Sequence, residues 1–192
     1  MPDDDRAELR DLAAVFGGAA EDFVGTVTDV ASGASPEAAI PLLLLGLSDV
    51  LAAGARLGAI TDIVPDERFE PDTGVVADAG PLATALANVL EGIDDYYEVE
   101  DPVLAPDVVS SSLSTDLALI VDSLRQGLDH YGAGNVVEAL WWWQFSYLAN
   151  WGERASAAVR VLQVILAHLR LDVDDDVAAE ATFEALHAED DG

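Results

Sequence analysis

The chain has 192 residues, enough for one domain with a real core, and it carries 37 acids against 8 bases, a formal net charge of −29. Every base is an arginine, cysteine and lysine are absent, and hydrophobic residues still make up 51%. That composition excludes a disordered acidic tail, a disulfide framework and a thiolate nucleophile or metal site. It also offers no basic stripe for nucleic acid or an anionic membrane.

In chain order, residues 4–31 are predicted helical, with Leu9, Leu12, Phe16, Phe23, Val27 and Val30 near helical spacing and a weak point at Gly17-Gly18. Ser35-Pro36-Glu37 is a helix start: cap, Pro in the first turn, then an acid. The helix it opens runs to about Leu57, with Gly58 as its stop and Pro41 late enough to kink it. Residues 61–80 show no period and are predicted to be a long surface loop. Pro81 opens a third helix whose face carries Leu82, Leu86, Val89, Leu90, Ile93 and Tyr96-Tyr97. Pro102 and Pro106 hold an extended link after it. Ser112 or Ser114 caps a fourth helix, in which Leu117, Ile120, Val121, Leu124 and Leu128 repeat. Asn135 and Glu138 form a capping box that starts a long helix over about 135–170. Residues 171–192 are an acidic tail with Asp174–Asp176 before a short last helix. No segment alternates long enough to predict a sheet. The expected fold is all-α: one domain, 1–192, an irregular bundle of five or six helices around the long aromatic one.

That helix holds all four tryptophans, Trp141, Trp142, Trp143 and Trp151. On a regular wheel Trp141, Phe145, Leu148, Trp151, Gly152, Ala155, Val159, Leu162 and Leu166 share a core stripe. A second face carries Trp143, Ser146, Tyr147, Asn150 and Arg154, with rings beside an amide, hydroxyls and a guanidinium. This face is either a second packing surface or the wall of a pocket or partner groove. A buried Arg154 needs a carboxylate, and Asp116, Asp122, Glu98, Glu100 and Asp101 are the acids within reach.

Three blocks in order suggest a family. Trp141–Ala155 resembles a Trp-x-Trp-Arg-Phe-x-Phe-x-x-His-Trp-Gly-x-His-Ala motif. Residues 94–102 resemble a Tyr-x-Glu-Val-Phe-Asp-Pro motif, and 112–125 a Ser-Leu-Ser-x-Asp-Leu-Ala-Asp-Ile-Tyr-x-Asp-Leu-Lys motif. Together they look like the domain of unknown function 5063 family, small proteins common in bacteria, over roughly residues 93–166. The resemblance implies a fold group and no activity. Where the family pattern has two histidines one turn apart, this chain has Asn150 and Arg154; where it has further acids, this chain has Leu119 and Ser123, with Asp116 retained. The family's set would suit a metal. Its loss here implies that any such site is absent or altered.

His130, His168 and His187 are scattered, and Glu184 with His187 makes only half of a di-iron pair, so neither metal nor cofactor is expected. Ser110–Ser112 reads as loop and cap. The leading expectation is a non-enzymatic interaction module, an adaptor or small chaperone, with a protein partner or a second copy of itself. The competing one is an enzyme or small-ligand binder whose site comprises Trp143, Tyr147, Asn150, Arg154 and Asp116.

The first six residues lack the order of a signal peptide, and the longest uncharged run, Ala139–Gly152, is 14 residues against the roughly 20 a membrane span needs. With 24 Asp against 13 Glu and no Lys, the surface fits a cytoplasmic protein of a salt-accumulating halophile. The Debye length there is below about 3 Å and self-repulsion is screened. The melting temperature, followed by circular dichroism, is therefore expected to fall as KCl is lowered from about 4 M to about 0.1 M. A level or rising melting temperature overturns the halophile reading.

Overall fold

The computed structural model describes residues 3–60, 62–65, 78–101 and 103–171. Most of the expected 61–80 loop, and the tail with Asp174–Asp176, Glu184 and His187, lie outside the described residues.

Helix α1 spans Asp3–Ala31. It buries Ala13, Phe16, Ala20, Phe23, Val27 and Val30, which step by three and four. A 3-10 turn, Pro36–Ala38, leads into α2, Ala39–Gly58. Pro41 falls in the first turn of α2, where its missing N–H has no helical partner to lose, and so not in the mid-helix position expected to kink it. The stretch Pro36–Gly58 is long and apolar enough to cross a membrane by length and composition, with mean hydropathy 1.9 and 33% buried. Its Leu43, Leu47, Val50 and Leu57 are inside, whereas Leu42 and Leu45 are exposed.

Helix α3 is shorter than expected, Gly80–Val89. Gly92, at φ +85°, takes a left-handed turn that a side chain would resist, and the chain reverses there. It then forms a hairpin, a correction to the helix and extended link predicted for 94–112. Strand β1, Asp95–Asp101, pairs antiparallel with β2, Ala105–Ser112. Tyr96 turns in and Tyr97 turns out, at 7% and 75% exposure. Helix α4 runs from Leu113 to Gly132.

The long helix is three pieces end to end: α5, Val136–Ser146, a π segment, Tyr147–Trp151, and α6, Gly152–Leu171. Asn135 sits at its N-cap but makes no side-chain capping bond, so the expected capping box is not formed. With this rod counted once, the described residues form an all-α bundle of five helices with a hairpin at the head of α4.

The π segment sets the register of the aromatic face. Ala139, Leu140, Trp143 and Gln144 are buried before it, and Trp151, Gly152, Ala155, Ala158 and Leu162 after it. On an unbroken α-helix those two sets would point about 80° apart; the extra residue in a π turn removes about 100° and brings them into line. This corrects the predicted wheel. Trp143 is fully buried, Trp141 is half-buried, and Phe145 and Leu148 are 52% and 61% exposed.

The core centre is Phe16 between two indoles, 4.8 Å from the ring centroid of Trp143 and 6.3 Å from that of Trp151. Glycines make the sockets. A Cβ on Gly127 would run into the Trp143 indole, and one on Gly54 into Trp151 and Tyr147. Gly127→Ala is expected to cost about 2–4 kcal/mol, from overpacking and from displacing the indole N–H. Gly18, with nothing within 4 Å of a Cβ, is the control. Gly18→Ala in the same denaturant titration should be neutral or stabilising by up to about 1 kcal/mol. Equal effects at both positions contradict this packing.

Candidate functional site

Asp116 lies in the first turn of α4, where the positive end of the helix favours its charge. It is 1% exposed. A carboxylate there has to be met by donors, and four side chains arrange them. Arg154 Nη1 donates to Oδ1 at 2.7 Å. Tyr96 Oη donates to Oδ2 at 2.7 Å, and Ser111 Oγ to the same oxygen at 3.3 Å. Tyr96 and Ser111 are cross-strand partners, so one rung of the hairpin supplies both hydroxyls. The fourth side chain acts through Arg154: its Nε donates to Asn150 Oδ1, one turn back in the π segment, at 2.8 Å.

The ends of the hairpin are fixed beside this cluster. Asp94 accepts from the Ser114 N–H and the Ser114 hydroxyl, both at 2.7 Å, and its carbonyl accepts from the Leu113 N–H at 3.0 Å. Asp94, from the preceding turn, thus caps α4. Ser112, at the N-cap, makes no capping bond and donates instead to Thr115 Oγ1. Burial, then the hydrogen bond to Asp116 and its charge, push the Tyr96 phenol above its ordinary range. The phenol is therefore a fixed donor over the whole neutral range.

Of the five residues singled out from the sequence, the fold brings three together: Asp116, Asn150 and Arg154. The other two sit elsewhere. The Trp143 indole N–H donates to the Leu124 carbonyl at 3.1 Å, inside the core. Tyr147 packs over Gly54 and Gly58 of α2, with its ring 4.9 Å from that of Trp151. Of the acids offered for Arg154, Asp116 is the partner. Asp122 is half-buried on α4, its carboxyl raised by desolvation against the pull of Arg125.

Sequence reasoning missed Tyr96 and Ser111 as members of the cluster. Their only signal was the short alternation Tyr96-in, Tyr97-out, which a helical reading absorbs. It also missed Gln144, which is 4% exposed and clamps the end of α2. Its Nε2 donates to the Leu57 carbonyl at 3.0 Å, and its Oε1 accepts from the Ile63 N–H at 2.9 Å. His130 is 1% exposed and stacks on Trp142, and neither ring nitrogen has a partner among the described residues. A cleft of about 780 Å³ lies between the start of α1, the residues after α2 and the start of α5. It carries Arg6, Arg10 and Asn135 and none of the five candidates. Among the described residues no group of three or more His, Cys, Asp or Glu is placed to hold a metal.

These features define a small helical protein: a bundle with an aromatic rod and a hairpin locked over it by a buried carboxylate. The chain belongs to the family described as a domain of unknown function, DUF5063, whose model matches residues 7–168. The match takes in α1 to α3 as well as the 93–166 region that carries the motifs. The fold is similar to the crystal structure of protein BF1032 from Bacteroides fragilis, with a TM-score of 0.66 over 84% of this chain and 93% of that one. At 18% identity the likeness is one of fold alone. No curated protein matches the sequence.

Proposed function

We propose that the protein binds a small ligand at the Arg154–Asn150–Asp116 cluster beneath the hairpin, as a cytoplasmic protein of a high-salt cell. One observation carries this reading. The guanidinium is held on two sides, by a carboxylate that is 1% exposed and by an amide in a π turn, yet the Arg154 side chain is 37% exposed. A tie that served packing alone has no need to present a pre-oriented cation to solvent, and π turns recur at functional sites. Holding the arginine in advance lowers the ordering cost of binding.

A screen of small polar metabolites by thermal shift in concentrated KCl tests it. A ligand at about a hundred times its Kd should stabilise the fold by about 2.7 kcal/mol. The gain should shrink in Asn150→Ala, which removes one of the two groups that hold Arg154 but leaves it paired with Asp116. If every stabilising compound acts equally on Asn150→Ala, the site is not this one.

A second reading, an interaction module, draws on the outward side of the rod. Trp141 and Phe145 stack there at 5.3 Å and 8°, beside exposed Leu148. Apolar rings in such a row suit a protein partner or a second copy. Association seen by light scattering, and abolished by Phe145→Ser with Leu148→Ser, would favour it over the ligand site.

A further inference from the structure

We propose that the ligand of this cluster is a carboxylate, gripped by the unused side of the Arg154 guanidinium; this rests on the ligand-binding reading above. A guanidinium has five N–H hydrogens and no acceptor. Two are committed, Nε to Asn150 and one on Nη1 to Asp116. The remaining hydrogens, both on Nη2 and one on Nη1, have no partner among the described residues. Whatever binds there must therefore bring acceptors, and an anionic acceptor adds the attraction of opposite charges to the hydrogen bonds of the guanidinium.

The charge is available. Asp116 does not depend on Arg154 alone, because Tyr96 and Ser111 also donate to it. Those hydroxyls take up part of the demand of the carboxylate and leave the guanidinium incompletely neutralised on its open side. The choice among anions rests on the same count. One planar fork matches the two oxygens of a carboxylate in a bidentate pair. The nearest other cation on α6, Arg160, is turned to the Tyr97 carbonyl at 3.4 Å, so a phosphate dianion would lack a second positive partner. A cationic ligand meets like charge at the guanidinium. The chain's net charge of −29 repels anions at a distance, so recognition has to come from contact geometry in salt that screens the rest.

The test monitors the Arg154 Nε–H and the Asn150 side-chain amide by NMR in concentrated KCl, with potassium acetate, potassium benzoate, potassium phosphate, acetamide and choline chloride as probes. The expected result is a saturable shift of both signals with acetate and benzoate and none with acetamide or choline. Arg154→Lys, which keeps the charge and loses the fork, should weaken benzoate by about tenfold or more. Asn150→Ala, which leaves the Arg154–Asp116 pair in place, should weaken it by a smaller factor and guards against a folding defect in the first variant. Saturation by acetamide or by phosphate in preference to the carboxylates overturns the carboxylate while leaving a ligand site at Arg154. No saturable shift at Arg154 with any probe overturns both.

Discussion

The carboxylate of Asp116 is shut away from water at the head of α4, and much of the local architecture is the answer to that burial. A buried charge without partners would cost several kcal/mol. Its partners come from two separate parts of the chain, the hairpin through Tyr96 and Ser111 and the rod through Arg154, which Asn150 of the π segment braces from behind. A two-stranded hairpin is marginal by itself. Here its inward rung ends on the same carboxylate as the arginine, so hairpin, α4 and α6 are held as one unit. Asp94, bound to the start of α4, closes the other side of the same junction.

The second constraint is the π turn. It lets α5 and α6 bury residues on a common side, Trp143 before it and Trp151 after it, so that Phe16 packs between the two indoles. The same turn carries Asn150, one turn ahead of Arg154. Core and cluster are thus coupled through one irregularity. The glycines at 54 and 127 are the complement of the rings, since each gives an indole the space a methyl would take. Removing the π turn would change which side of α6 carries Arg154.

Much of this fold was legible in the sequence, and the limits have physical causes. The apolar spacing in α1, α2 and α4, and the stop at Gly58, are local properties, and the helices stand close to where periodicity placed them. The need of Arg154 for an acid came from charge alone, and Asp116 was among those offered. The hairpin was not legible. Its strands are short and rich in acids and serines, and their pairing depends on contacts to α4 and α6 that no local pattern encodes. The inward face of Trp143 was lost for another reason. A single extra residue in one turn is invisible to a wheel of constant pitch, so a register that suits Trp151 and Leu162 assigns Trp143 to the wrong side. Tyr96 and Ser111 dropped out of the candidate site with the hairpin that carries them.

Asp116 is the lock that joins hairpin and rod, and hydrogen exchange in concentrated salt on the Asp116→Asn protein tests that role most directly. The change keeps volume and leaves an acceptor for the hydroxyls, but it sets an amide against the Arg154 donors and leaves the guanidinium unpaired. Amides of 95–101 and 105–112 are expected to exchange about tenfold faster or more, corresponding to a local loss of about 1.4 kcal/mol, while the centres of α1 and α2 keep their protection. Unchanged exchange in the hairpin, or an equal loss of protection across the whole bundle, would contradict the lock.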